Sequence, residues 1–286
     1  MSRQIYVNGR FVSEAEAVVS VFDRGFLFAD GIYEVSAVVA RRLVDNALHL
    51  ARLERSLAEV GIPMPLGRDD VAGVQAELVR RNRLEEGVVY LQVTRGAAER
   101  DFGFAPDLKP SFVAFTQQKP ILGTASVREG IAVGVEPDLR WARRDIKTVM
   151  LLTQVLAKQA VKARGFGEAW LVEDGYVTEG ASSTGFVVTA DGALVSRPDS
   201  HAVLPGCTKA VVLDLARAAG LRVEARRFTV EEAQQAREAF LTSASSTITP
   251  VVRIEDRVIG DGRPGPLTLR LQQAYVESAL RGPALF

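Results

Sequence analysis

Arg140-Trp141-Ala142-Arg143-Arg144-Asp145-Ile146-Lys147-Thr148 is the stretch on which the reading of this chain turns. A cluster of positive charge runs into an acid, an apolar residue and Lys147. Downstream, Leu152, Val155, Leu156 and Ala160 recur at helical spacing, which predicts a helix over 149–164 capped by Thr148 or Asp145. Lys147 then stands where an extended segment passes into a helix. Taken alone, that place suits a solvated lysine, because charged side chains are mostly exposed. Beside small and apolar residues, a lysine at such a junction can instead point into a pocket. There its amine serves as nucleophile or base.

The whole chain narrows the choice. Its 286 residues suffice for one large or two modest domains, and 47% hydrophobic residues are those of a globular protein. The 35 basic and 35 acidic residues balance, which argues against nucleic-acid binding. One cysteine, Cys207, excludes a disulfide framework and a cysteine-based metal site. Two histidines, His49 and His201, are too few for a histidine-rich metal site, so no metal is expected. No apolar stretch approaches the roughly 20 residues of a membrane span. The first residues, Met1 to Tyr6, lack the apolar core of a signal peptide. The expectation is a soluble cytoplasmic protein.

The pattern predicts an α+β fold. Asn8-Gly9 between Ile5-Tyr6-Val7 and Phe11-Val12 is a hairpin signal. An aromatic, turn-prone piece from Asp23 leads to a strand over 35–39. Helices follow over 49–60, ended by Gly61, and 69–82, then strands over 88–94 and 111–116. The loop 95–110 between those strands is long, and long loops in compact domains are often functional. Residues 118–124 look like a linker, dividing the chain into a smaller domain (1–117) and a larger one (125–286). The second half reads as a strand over 131–135 and hairpins about Asp174-Gly175 and Asp191-Gly192. A helix over 208–219 comes next, then strands over 222–225 and 239–242 around a short helix near 231–235. A strand pair about Glu255-Asp256 and a helix over 266–280 complete it.

Two loops in the second half suit a phosphate. Pro205-Gly206-Cys207-Thr208 opens a helix, whose free N–H groups and dipole favour an anion. Thr242-Ser243-Ala244-Ser245-Ser246-Thr247 follows a strand and is rich in hydroxyls. Each also fits a plain turn or cap. Arg52 sits among Leu50, Leu53 and Leu57, where it either snorkels or reaches a phosphate bidentately. Glu179, before Gly180-Ala181-Ser182-Ser183, is either a surface carboxylate or one aimed at a protonated ring nitrogen. There is no Walker or dinucleotide fingerprint, so an ordinary nucleotide site is not expected. A lysine, a carboxylate, an arginine and hydroxyl-rich loops make pyridoxal 5'-phosphate a candidate cofactor.

The same residues carry a resemblance. Asp23-Arg24-Gly25, Asp30-Gly31-Ile32-Tyr33-Glu34-Val35, His49-Leu50-Ala51-Arg52-Leu53 and Gln92-Val93-Thr94-Arg95-Gly96 lie in the first half. Arg140-Trp141, Asp145-Ile146-Lys147, Leu156-Ala157-Lys158-Gln159, Thr178-Glu179-Gly180-Ala181-Ser182-Ser183 and Thr242-Ser243 with Ile248-Thr249-Pro250-Val251 follow in order. Together they resemble the fold-type IV pyridoxal-phosphate enzymes, and most closely the D-amino acid aminotransferases. The resemblance implies a small N-terminal α/β domain and a larger C-terminal β pseudo-barrel domain, with the cofactor between them in a homodimer. It implies Lys147 as the Schiff-base lysine and Glu179 as partner of the pyridine nitrogen. Arg52, Thr208 and Ser243 would bind phosphate, with backbone N–H groups at Gly206, Cys207 and Ala244. Tyr33 and Arg100 look like the residues that bind the substrate carboxylate, the loop of Arg100 arriving from the partner subunit. Glu34, Arg140 and Glu168 resemble supporting polar residues.

The implied reaction moves an amino group between a D-amino acid and a 2-oxo acid. The alternatives within the fold are (R)-amine transaminase, branched-chain L-aminotransferase and 4-amino-4-deoxychorismate lyase. A non-catalytic cofactor-binding protein is the rival outside catalysis. One place departs from the family pattern. The usual carboxylate loop reads Arg-x-His, and here it reads Arg100-Asp101-Phe102. Losing a charge-assisted contact costs on the order of 1.5–3 kcal/mol. Asp101 is also expected to compete for the Arg100 guanidinium.

Overall fold

The computed structural model describes residues 2–286. Contacts divide the chain into two compact units. One comprises Met1–Pro120, Ile146–Met150 and Ala279–Phe286; the other comprises Ile121–Asp145 and Leu151–Ser278.

The first unit begins with the hairpin of β1 (Gln4–Val7) and β2 (Arg10–Ser13). Asn8 and Gly9 at its turn both have positive φ, 46° and 92°, as a tight two-residue turn demands. Next come α1 (Arg24–Phe28), β3 (Gly31–Val39), β4 (Arg42–Leu43), α2 (Asn46–Glu59), α3 (Arg68–Arg81), β5 (Gly87–Thr94) and β6 (Ser111–Gln118). The strands form an antiparallel sheet in the order β2-β1-β6-β5-β3-β4. Leu50, Leu53 and Leu57 of α2 and Val71, Leu78 and Val79 of α3 form one stripe per helix. They share a core with Ile32, Val89, Leu91 and Val93 of the sheet. Sequence spacing started the third strand at Val35. It starts at Gly31, because β3 pairs with β5 from Gly31 opposite Thr94 onward. The short helix α1 was also not expected. Asp23 caps it, accepting a bond from the Gly25 N–H.

The second unit contains α4 (Ala125–Glu129), β7 (Ile131–Pro137), α5 (Leu152–Ala163), β8 (Glu168–Glu173), β9 (Tyr176–Gly180), β10 (Thr184–Val188) and β11 (Leu194–Ser196). It continues with α6 (Cys207–Ala218), β12 (Val223–Ala225), α7 (Val230–Gln234), β13 (Glu238–Ser243), β14 (Thr247–Ile254), β15 (Arg257–Val258) and α8 (Pro266–Ala279). Its mixed sheet, the β pseudo-barrel, runs β12-β11-β10-β13-β14-β7-β8-β9, with β15 on β14. Trp170 and Phe228 meet edge to face at its centre, within a core that includes Val187, Leu241 and Ile254.

The helix expected over 149–164 begins at Leu152 instead, and neither Thr148 nor Asp145 caps it. Its N-cap is Leu151, without a side-chain bond. The reason lies in the backbone of 146–150, which is committed to β3. Lys147 C=O accepts from the Tyr33 N–H at 3.1 Å, Val149 N–H donates to Gly31 C=O at 3.0 Å, and Thr148 bridges Ile32 antiparallel. Groups tied to a strand cannot start a helix. The apolar stripe of α5 is also not its buried face: Leu152, Val155 and Leu156 are 71%, 59% and 60% exposed.

Candidate active site

Lys147 is therefore positioned by a strand. Its own N–H points at Ser56 Oγ on α2, 3.4 Å away, and Ile146 beside it is buried in the core. The half-buried amine lies over the ring of Tyr33, 4.1 Å from the centroid. Tyr33 stacks on Tyr90, and Tyr90 on Phe115. Burial, then the neighbouring Tyr33, pushes the Tyr90 phenol up, so it stays neutral and donates to Gln92. A rigid aromatic stack thus fixes the ring beneath the lysine.

One residue on from Tyr33, the strand turns its side chain to the other face. Glu34 is buried there. Its carboxylate takes two bonds from Arg52, Nε at 2.7 Å and Nη2 at 2.9 Å, and lies 2.9 Å from His49 Nδ1. Burial alone would raise the Glu34 carboxyl. The Arg52 guanidinium, with His49, outweighs it and holds Glu34 far below the usual carboxylate range. Arg52 and Glu34, read separately in the sequence, are a buried ion pair. His49 completes it and carries no role in the sequence reading; its spacing of three from Arg52 on one helix face was the available signal.

Arg100 stands on the 95–110 loop. Its guanidinium lies over Phe28 (5.4 Å) and Phe102 (5.9 Å) and has no ion pair among the described residues. The expected competition from Asp101 does not occur. The Asp101 carboxylate turns back to the Gly103 N–H and its carbonyl accepts from Arg24. Phe102 is 80% exposed.

In the second unit Glu179 is buried at the end of β9. It accepts from Arg140 Nη1 and from the Leu204 N–H at 3.1 Å. Burial raises its carboxyl above the usual value, and Arg140 offsets this only in part. Arg140 is shared with Asp138, which it grips through Nε at 2.9 Å and Nη2 at 2.7 Å. Thr178 Oγ1 also donates to Asp138, at 2.6 Å. Asp138 is the residue that sequence reasoning missed; it lies two positions before Arg140, the spacing that puts both on one face of an extended segment. Glu168 is buried and accepts from Ser182 at 2.7 Å and Lys158 at 3.2 Å.

The two hydroxyl loops converge. Gly206 is the N-cap of α6 and has no side-chain cap, so the first N–H groups, at Cys207 and Thr208, remain for another acceptor. A Cβ on Gly206 would lie 2.9 Å from Thr184 Oγ1, so only glycine allows this approach. Thr184 pairs across the sheet with Thr242, immediately before Ser243 and Ala244. Thr242 Oγ1 is buried without a partner among the described residues. Ser243 Oγ lies 2.7 Å from Ser246 Oγ. The uncapped N–H groups at Cys207 and Thr208, with the hydroxyls of Thr208 and Ser243 on the two loops, are donors of the kind a phosphate monoester takes. The buried Glu179, on the same unit, fits a protonated ring nitrogen.

The family model described as amino-transferase class IV matches residues 31–254. The chain belongs to the class IV aminotransferases. It is 37% identical over 279 residues to a D-alanine aminotransferase of Bacillus licheniformis, covering 97% of each chain. A D-alanine aminotransferase of Staphylococcus aureus (strain MSSA476) is 35% identical over 281 residues, covering 96% of this chain and 98% of that one. Among solved structures, a branched-chain amino acid aminotransferase from T.th. with pyridoxamine 5'-phosphate superposes with TM-score 0.89 at 27% identity. It covers 99% of this chain and 96% of the other. In this class IV aminotransferase, the long loop between β5 and β6 and the turn between β13 and β14 are irregular segments, yet both hang on regular strands. That gives the side chains they carry fixed places.

Proposed function

We propose that this chain is a D-amino acid aminotransferase of the D-alanine transaminase type, working with pyridoxal 5'-phosphate. It exchanges the amino group between a D-amino acid, such as D-alanine or D-glutamate, and a 2-oxo acid, such as 2-oxoglutarate or pyruvate. The observation that carries the reading is the likeness to D-alanine aminotransferases along 97% of the chain.

When bound, the cofactor supplies an aldehyde that takes up amino groups and a ring that absorbs electrons. The chain's own residues do the rest. Cys207 and Ala244 N–H groups, the Thr208 and Ser243 hydroxyls and Arg52, with its charge oriented by Glu34, hold the phosphate. Glu179, kept in place by Arg140, keeps a proton on the ring nitrogen. Lys147 Nζ is the amine that would hold the cofactor's aldehyde carbon. Freed, it would take the proton from the substrate α-carbon as general base and deliver it to the cofactor's C4' carbon as general acid. Tyr33 and Arg100 bind the substrate carboxylate, and Glu168 orients polar groups near Lys158. The first product leaves as a 2-oxo acid before the second 2-oxo acid enters. We propose that the chain is built of domains 1–117 and 125–286, and that the enzyme acts in the cytoplasm as a homodimer. The exposed apolar row of α5 supports the dimer.

A branched-chain L-aminotransferase is the second reading, favoured by the solved structure of that activity at TM-score 0.89. Phe102 in place of the usual histidine favours some turnover of (R)-amines. A panel of D-alanine, D-glutamate, L-leucine and (R)-1-phenylethylamine separates these, and a preference for L-leucine would sink the proposal. The variant Lys147→Ala is expected to lose turnover and the absorption band of lysine-bound cofactor. Retention of both would remove Lys147 from its role.

A further inference from the structure

The sequence motif Asp23-Arg24-Gly25, with Asp30 and Arg95, has no part in the chemistry above, yet buried Arg24 and Arg95 are joined through half-buried Asp30. Arg24 is buried, and each nitrogen of its guanidinium donates a hydrogen bond. Nε donates to Asp30 Oδ2 at 2.9 Å. Nη1 donates to the carbonyls of Asp101 (2.7 Å) and Gly103 (3.3 Å), and Nη2 to that of Phe102 (3.2 Å). Asp30 is shared: Arg95 donates to its two oxygens at 2.7 and 3.0 Å. Burial would raise the Asp30 carboxyl, but Arg95 and Arg24 together hold it below its usual value. Arg95 spends its remaining donors on the carbonyls of Val60 (2.8 Å) and Gly61 (3.1 Å), at the end of α2. Phe104 covers the assembly, 3.8 Å from Arg95 and 5.2 Å from Arg24.

The three carbonyls gripped by Arg24 are those of the residues immediately after Arg100. Phe28 links the two arginines as well, with Arg24 at 4.7 Å and Arg100 at 5.4 Å from its ring centroid. An exposed loop that lacks regular structure is thereby tied to the end of α2 through Arg24, Asp30 and Arg95. The guanidinium it presents has no acid partner among the described residues. We propose that Arg24 is a positioning residue for substrate carboxylate binding. It braces 101–103 so that Arg100 is held ready for the carboxylate, a task that falls to the loop because the Phe102 side chain has no donor.

This rests on the aminotransferase reading above. The test uses the pyridoxal-phosphate-loaded enzyme. R24K keeps a charge opposite Asp30 but cannot fork to three carbonyls. Amide hydrogen exchange of 101–104 is expected to speed roughly tenfold, with KM for D-alanine and 2-oxoglutarate rising several-fold. Cofactor affinity and kcat are expected to stay near wild type, a split that a general loss of structure does not produce. F104A, at a half-exposed position, is expected to change the same quantities in the same direction by less, and decides the matter if R24K does not fold. Unchanged exchange in the loop, or a parallel fall of kcat and cofactor affinity, overturns the proposal. A wild-type enzyme inactive toward D-amino acids sinks the proposed activity instead, a failure distinct from unchanged exchange.

Discussion

Glu34 shows how a single side chain sets its own pH dependence. Its carboxyl is buried and its folded value is far below the ordinary one, because Arg52 and His49 outweigh burial. A depressed carboxyl contributes stability that is fully present above its unfolded value of about 4.3 and is lost as pH falls through the folded value. Removing one partner of a buried pair leaves the other uncompensated, at roughly 3–5 kcal/mol. Glu34→Gln is therefore expected to lower the unfolding temperature strongly at pH 7. The gap to wild type should shrink as the pH drops below about 4. Thermal unfolding across pH measures this, and a gap independent of pH would count against the assignment. Glu179 has the opposite sign. Its carboxyl is raised by burial, so without cofactor its ionisation weakens the fold as pH rises through and above its unfolded value. In the proposed role, a protonated ring nitrogen would supply the missing charge. The rise in unfolding temperature on adding pyridoxal phosphate at neutral pH should thus be smaller in Glu179→Gln than in wild type, and an equal rise would argue that the two do not meet.

At the scale of elements, the 95–110 loop is held at both ends as well as in the middle. Gly96 has φ +111°, and a Cβ there would sit 2.1 Å from the Lys109 carbonyl. The backbones of the two loop stems touch at that point. Gly96→Ala is expected to shift the loop and cost roughly 1–3 kcal/mol of local strain. Its effect should appear as a raised KM for D-amino acids with cofactor affinity retained; an unaltered KM would show that the loop tolerates the shift. The hairpin at Asn8-Gly9 and the helix stripes of α2 and α3 were legible from local sequence, since turn chemistry and burial period act over a few residues. The start of α5 was not. Leu152 to Ala160 carry a helical period that extends back toward Val149, but pairing with β3 claims the backbone of 147–149 first. Tertiary hydrogen bonds outrank propensity there.

For the whole molecule, the apolar period of α5 has a second consequence. Leu152, Val155 and Leu156 satisfy the pattern of a buried helix face while facing solvent in the single chain. Contiguous exposed apolar surface marks an interface. Leu156→Glu together with Val155→Glu is expected to convert a dimer to monomers in sedimentation. If the protein is a dimer and stays one, another surface mediates association. The spacing that suggested a core helix was correct about periodicity and silent about which body covers it.

Chemistry-bearing residue types in collinear order, Lys147, Glu179, Arg52 and the two hydroxyl loops, were readable from the chain alone, as were the α+β class and most strands. These depend on local propensity and on side-chain chemistry, which each position carries with it. Which groups meet was decided only by tertiary structure. Arg52 faces Glu34 across 18 residues, Arg140 is divided between Asp138 and Glu179, and Arg24 reaches a loop 77 residues away. Such pairings follow from sheet register and helix packing, and no local pattern encodes the distance between residues that the chain brings together.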